Sequence, residues 1–279
     1  MKKKGVFYLC TVLMLAISAF VIMTVGAEQT IKLPIIMYHS VVKDEARRSD
    51  YVVSLRQFKE DMDAIDGAGY ETVNISDLIS YVGGGELPEK PIMITFDDGF
   101  LNNVDLCGPV LQEHNMKAVL SVVGVYTECE EKCDWKRSDN YSYLTWEEIS
   151  RVQKEGVFEI QNHSYNMHGG NGRQGAKKVS GEDAQTFKMK VGEDVCHMQE
   201  LLEQKSGINA SCFTYPFGYF DSDTKEVIRQ SGFSASLICY EKINELTREA
   251  DCLYGLGRFN RSGRVETAGF FEKCGIDLS

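Results

Sequence analysis

The chain has 279 residues, 43% of them hydrophobic and 25% charged, which are globular proportions that exclude extended disorder and fibrous repeats. Its length suits one large domain or two small ones. A formal net charge of −11, from 30 Lys+Arg against 41 Asp+Glu, repels phosphate backbones; with no basic patch beyond the N-terminus, it excludes a nucleic-acid partner.

Lys2, Lys3 and Lys4 precede an apolar run from Val6 to Val25 that no charged residue interrupts. A basic start followed by such a run is the pattern of a secretory signal, and Val25-Gly26-Ala27 offers small residues for cleavage after Ala27. The run is also long enough to span a bilayer, so a retained anchor helix, and with it membrane attachment, stays open. In both cases the three lysines hold the N-terminus inside and place Glu28 onward outside the cytoplasm. Residues 1–27 are therefore expected to be signal or anchor, and 28–279 the functional domain. Of nine cysteines, Cys10 lies in the apolar run, leaving eight in an oxidising compartment that permits disulfides. Cys129 and Cys133 are close enough to pair across a loop, while no Cys-x-x-Cys zinc spacing occurs.

Ile31 to Val42 is β-rich and carries Tyr38-His39 near its end. Ser54 and Gln57 form a capping box for a helix with Phe58, Met62 and Ile65 on one face. A short strand over Tyr70 to Ile75 and a short helix over Asp77 to Val82 follow. Pro91 to Phe96 reads as a buried strand ending in Asp97-Asp98-Gly99, then comes a helix from Val104 to His114 and a strand from Lys117 to Val123. Tyr126 to Tyr143 reads as a polar loop containing Trp135. Thr145 and Glu148 cap a helix to Glu155, and Val157 to Gln161 is a strand ending at Asn162-His163. A long helix over Glu182 to Gln204, a strand over Ala210 to Tyr215, a helix over Asp221 to Ser231 and a strand over Phe233 to Ile238 complete the series. Strands alternating with helices imply parallel βαβ units. About seven of them imply an α/β fold, a distorted (β/α) barrel, whose chemistry collects at the carboxyl ends of strands.

Four clusters fall at such ends. In Ile94-Thr95-Phe96-Asp97-Asp98-Gly99, adjacent carboxylates repel unless something offsets them, and side chains alternate along a strand. One aspartate can then bind a metal while the other reaches a reacting water; a plain Asp-Gly turn is the competing reading. Asn162-His163-Ser164-Tyr165-Asn166-Met167-His168 places two imidazoles five residues apart. On a helix that step separates them by about 140°, so joint ligation needs an irregular strand end. Imidazoles with a carboxylate suit a divalent transition metal with positions open for water. Phe213-Thr214-Tyr215-Pro216-Phe217-Gly218 can aim a backbone N–H into a pocket, and Pro34-Ile35-Ile36-Met37-Tyr38-His39-Ser40 puts a third histidine at a strand end. His114 and His197 lie on helices and receive no role.

Together these clusters resemble the polysaccharide deacetylases, the NodB-homology class of carbohydrate esterases. The resemblance implies Asp97 as catalytic base, Asp98, His163 and His168 as ligands of one divalent transition metal, Zn²⁺ or a similar ion, and the Phe217 N–H as oxyanion donor. The five-residue histidine spacing is similar to the circularly permuted branch that deacetylates poly-N-acetylglucosamine, where the catalytic histidine lies near the N-terminus in an element like Tyr38-His39; His39 is then the general acid. In the family an arginine two residues before the proline holds the base, but here that position is Thr214. Arg258, in Leu256-Gly257-Arg258-Phe259, is a candidate replacement. No fourth motif, an aspartate beside tryptophan, is found. The implied activity is metal-dependent hydrolysis of N-acetyl groups on an extracellular or cell-wall polysaccharide containing N-acetylglucosamine, releasing acetate. An O-acetyl glycan esterase and a non-catalytic glycan-binding protein on the same fold are the alternatives. The implied partner is the N-acetylated polysaccharide itself, and no protein partner is inferred.

Overall fold

The central strands are built from residues that only a doubly covered sheet can use. Pro91–Phe96 is buried along its whole length, as is Ala118–Val122, the mark of parallel strands packed on both faces. The computed structural model describes residues 30–132, 136–169 and 173–278. The proposed signal segment 1–27, Cys133 of the expected Cys129 bridge, and Trp135 lie outside the described residues.

Eight parallel strands form the continuous path of the main sheet: β1 (Ile35–Tyr38), β2 (Pro91–Phe96), β3 (Ala118–Val122), β4 (Phe158–Asn162), β5 (Cys212–Thr214), β6 (Ala235–Leu237), β7 (Tyr254–Leu256) and β8 (Phe259–Asn260). The two-residue strand Glu71–Thr72 pairs with β2 as a ninth beside this path. Their order is β7-β6-β5-β4-β3-β2-β1-β8, every neighbouring pair parallel. The register Met37↔Thr95 and Tyr38↔Phe96 brings the ends of β1 and β2 level. The last two strands stand at opposite edges of this order, yet only Gly257 and Arg258 separate them. Three residue steps reach about 11 Å at most, so the sheet must curl until its edges nearly meet. The expected barrel of about seven parallel strands is thus a curled eight-stranded one, its seam crossed by chain at Arg258. Gly257 fits there because a Cβ would lie 2.3 Å from the Tyr240 carbonyl oxygen.

Helices cover the outside: α1 (Leu55–Gly67), α2 (Ile75–Val82), α3 (Leu101–Glu113), α4 (Gly124–Lys132), α5 (Trp146–Glu155), α6 (Ala184–Ser206), α7 (Ser222–Gln230) and α8 (Thr267–Cys274). The expected capping boxes at Ser54 and Thr145 are formed, and α1 buries Phe58, Met62 and Ile65 against the sheet. Lys32–Ser279 forms one contact unit. Among the described residues no helix is long and apolar enough to cross a membrane.

Three expectations are corrected. The strand foreseen over Ile31 to Val42 is broken into Ile31–Leu33, β1 and Ser40–Val42, interrupted at Pro34 and His39. Pro34 has no N–H to donate to a ladder, and the break at His39 releases that residue from strand pairing. The polar stretch foreseen as a loop from Tyr126 begins instead with α4, whose buried positions are Gly124, Thr127 and Glu130. It has no apolar stripe for periodicity to detect; Glu130 is held by Arg137 Nε and the Tyr143 N–H, both at 3.1 Å. Helix α3 starts three residues before the expected Val104, directly behind the Asp97-Asp98-Gly99 turn.

Candidate active site

The parallel strands β1, β2, β4 and β5 end at one rim of the sheet, where open loops gather chemistry. His39 follows β1, Asp97 and Asp98 follow β2, His163 follows β4, and Phe217 follows β5 by three residues. All five, with His168, line one cleft of about 660 Å³. Alternation along β2 sends Phe96 outward against Tyr38, Phe58 and Phe158, and sends Thr95 and Asp97 inward. The turn beyond is tight. Gly99 has φ +78°, and a Cβ there would sit 3.0 Å from Val122 Cγ1, so glycine is required twice over. Among the described residues four non-glycines have positive φ, and three of them, Asp98 (70°), Ser164 (73°) and Phe217 (58°), stand in these clusters. Such backbone costs on the order of 1–3 kcal/mol per residue and collects where geometry serves function.

Asp97 is buried and paired with Arg258, whose side chain is completely buried. The pairing is bidentate: Nη1 donates to Oδ1 at 2.7 Å and Nη2 to Oδ2 at 2.8 Å. Nη1 also donates to Thr95 Oγ1 at 3.2 Å. Burial pushes the Asp97 pKa upward, but Arg258 and then His163 outweigh it and hold the carboxyl well below the usual carboxylate range. Asp97 is therefore ionised across the physiological range. Thr214, which stands where an arginine was expected, turns to Ser121 instead, with their hydroxyls 2.7 Å apart. The cation arrives from the barrel seam, 161 residues along the chain from Asp97.

Asp98, His163 and His168 each offer one ligand atom, and the three atoms lie within 4.8 Å of one another. Asp98 Oδ1 is 3.7 Å from His163 Nε2 and 3.6 Å from His168 Nε2. Two donors about 2.1 Å from a tetrahedral ion stand about 3.4 Å apart, so the trio has the spacing of a metal site. Hydrogen bonding agrees. His163 Nδ1 lies 2.8 Å from the Thr214 carbonyl oxygen, which fixes the proton on Nδ1 and leaves the Nε2 lone pair aimed at Asp98. Burial, and then His163, push the His168 pKa down to about 3, keeping that ring in the neutral form that ligates. The loop between the histidines is braced by Asp194 of α6, which accepts from the Tyr165 N–H at 2.8 Å and the Asn166 N–H at 2.9 Å.

His39 lines the same cleft as Asp97 and is half-buried; partial burial lowers its pKa against the opposing pull of Asp97 and Asp98. Its ring meets the edge of Tyr51 at 4.8 Å. Phe217 is 48% exposed, its ring lies 5.6 Å from that of His168, and its backbone is left-handed. The motifs did not single out the aromatic rim: Tyr51 and Tyr141, both strongly exposed, and the stacked Tyr126 and Tyr143. The tyrosines recurring at 126, 141 and 143 in a polar stretch were the available signal. His114 sits between Asp63 and Asp66, each at 3.3 Å, and His197 packs on Tyr165.

A family model described as polysaccharide deacetylase matches residues 84–236. The chain is 24% identical over 217 residues to the poly-beta-1,6-N-acetyl-D-glucosamine N-deacetylase of Escherichia coli (strain K12), an alignment covering 71% of this chain and 32% of that protein. It is 20% identical over 193 residues to a protein of the same name from Staphylococcus aureus (strain MRSA252), covering 69% of this chain and 63% of that one. The chain thus spans about a third of the first relative and less than two thirds of the second. Among solved structures, IcaB from Ammonifex degensii superposes with a TM-score of 0.70 at 23% identity, over 89% of this chain and 97% of that one, which shows the shared curled-barrel fold.

Proposed function

The chain belongs to the polysaccharide deacetylase family, and on that premise we propose that it is a metal-dependent N-deacetylase of an extracellular or cell-wall polymer of N-acetylglucosamine. The observation that carries the reading is a convergence in one cleft: an ionised, arginine-clamped aspartate, a three-residue metal-type cluster and a half-buried histidine. Residues 28–279 would be the catalytic domain, delivered beyond the cytoplasm by residues 1–27. The names of the relatives favour a β-1,6-linked polymer as substrate.

Asp98, His163 and His168 would hold the ion, Zn²⁺ being the best match to two imidazoles and a carboxylate. A divalent ion held there would supply Lewis acidity toward a water and the acetyl carbonyl. Asp97, kept ionised by Arg258, accepts the proton of the attacking water. The Phe217 N–H donates to the oxyanion as the carbonyl carbon becomes tetrahedral. His39 delivers a proton to the departing nitrogen, because an amine anion is a poor leaving group. Its depressed pKa makes the protonated ring a stronger acid, at the cost of a smaller protonated fraction at neutral pH. The exposed faces of Tyr51 and Tyr141 supply apolar platforms for sugar rings.

Acetate release from β-1,6-linked N-acetylglucosamine oligomers, chitooligosaccharides and peptidoglycan tests the reading. We expect turnover on the β-1,6 oligomers, its loss with a chelator and its return with Zn²⁺. His163→Ala or Asp98→Ala should abolish stoichiometric metal binding and lower the rate by more than about 100-fold. A fully metal-loaded protein that releases acetate only from O-acetyl esters would replace this reading with an esterase. One that binds glycan and turns over nothing would replace it with a binding protein.

A further inference from the structure

Asn103 occupies the first turn of α3, six residues after Asp97, and is completely buried. Its side-chain amide brackets the backbone on both sides of Ser40: Nδ2 donates to the His39 carbonyl oxygen at 2.6 Å, and Oδ1 accepts from the Val41 N–H at 3.0 Å. These are the groups a paired strand would otherwise satisfy, so one side chain stands in for a strand neighbour where the chain breaks after β1. Asn102 adds a bond to the Val41 carbonyl oxygen at 2.6 Å and another to Ser40 Oγ at 3.0 Å. On the other side, α3 is continuous with the turn that carries both aspartates. The His39 ring has no comparable tether. Its Nδ1 is buried without a hydrogen-bond partner among the described residues, and its neighbour is the exposed ring of Tyr51. The ring's place is therefore set through its backbone.

We infer that Asn103 is a positioning residue, a cross-brace between the aspartate turn and the His39 backbone that sets the distance between the proton acceptor Asp97 and the proton donor His39. The inference rests on the proposed role of His39 as general acid. A brace of this kind acts on one chemical step. Losing it should impair reactions that need a proton at the leaving group and spare those that do not, because misplacement by about 1 Å can cost on the order of 10²-fold.

The experiment is a double-mutant cycle of Asn103→Ala and His39→Ala, assayed on an N-acetylglucosamine oligomer and on an activated acetyl ester whose leaving group needs no proton. Zn²⁺ content and thermal unfolding are measured for each variant. Asn103→Ala is expected to lower kcat on the oligomer by about 10–100-fold with KM within about 2-fold, to leave the ester rate within about 3-fold, and to cost less than about 3-fold further once His39 is alanine. Asn103→Asp keeps the acceptor for Val41 N–H but loses the donor to His39; it should show the same amide-selective loss and serves if the alanine variant does not fold. Equal losses on both substrates, persistence of the effect in the His39→Ala background, or loss of Zn²⁺ would overturn the brace and leave Asn103 a structural residue. If the unsubstituted, metal-loaded protein hydrolyses the ester but never the amide, the general-acid reading fails first, and the brace falls with it.

Discussion

Two arginines three residues apart in the C-terminal segment each bury a bidentate pair with an aspartate, and the two pairs have opposite characters. Arg258 reaches inside the curled sheet to Asp97; Arg261 reaches the helix layer, where Nε and Nη2 donate to Asp61 of α1 at 2.7 and 3.0 Å. Both pairs are almost wholly buried. Asp61 is surrounded on all sides by protein donors, since Tyr38 Oη at 2.8 Å and Thr267 Oγ1 at 2.7 Å complete its carboxylate. Asp97 takes its bonds from Arg258 and turns toward the cleft, with His163 Nε2 3.9 Å away. A buried ion pair by itself therefore says little about function. What separates the two is spare acceptor capacity facing a cavity: Asp97 has somewhere to put a proton, and Asp61 does not.

Conservative neutralisation of each aspartate gives the widest separation. Asp97→Asn should lower acetate release by about 10²–10⁴-fold while the protein stays folded. Asp61→Asn should leave kcat within a few-fold but lower stability by about 3–5 kcal/mol, because the Arg261 charge stays buried without its partner. Rates measured beside denaturant unfolding check both, and comparable rate losses in the two variants would erase the distinction.

Removing the cations is next in size. Arg258→Met and Arg261→Met should each cost about 3–5 kcal/mol in urea unfolding, and Arg258→Met alone should also slow turnover, by about 10–100-fold. The pH dependence carries a sign. The Asp97 pKa is depressed in the folded protein, so its pairing contributes stability above the ordinary carboxylate pKa, and that contribution is lost as pH falls toward the depressed value. Arg258→Met should flatten this acid limb in a plot of unfolding free energy against pH, and an unchanged limb would mean that Arg258 does not set the Asp97 pKa.

The smallest effect is expected at Thr267→Val, which removes one of the donors around Asp61. It should cost about 1 kcal/mol, seen as a fall of about 2–4 °C in Tm, with no change in rate. A rate effect there would show that the Asp61 cluster reaches the cleft through Tyr38 and its neighbour His39.

Much of the architecture was legible because it is written in short-range patterns. The apolar run of β2 and the capping boxes at Ser54 and Thr145 each lie within a few residues, and each formed within two residues of its expected bounds. Helix α4 escaped because its buried face is polar, and β7 and β8 because two or three residues carry no period. The motif residues, scattered from 39 to 217, are drawn to one rim because parallel strands all end on the same side. Asn102 and Asn103 gave no signal at all. An asparagine near a helix start reads as local turn chemistry, and only the fold reveals that its amide is spent on a strand about sixty residues away.

By itself the amino-acid sequence determined the chemistry on offer: adjacent carboxylates at Asp97-Asp98, two imidazoles five residues apart, a Tyr-His strand end, and the alternation that makes a parallel sheet. It also held Arg258, with nothing local to say what that arginine would meet. Tertiary structure decided the partnerships. The curl of the sheet brings β7 and β8 to a seam at Gly257-Arg258, and that closure carries the guanidinium into the barrel beneath Asp97 in place of the arginine absent at Thr214. The physical reason is range. Strand and helix periods arise from neighbours a few residues apart, whereas the charge state of Asp97 and the seat of His39 depend on contacts 161 and 64 residues away, which only closure of the fold creates.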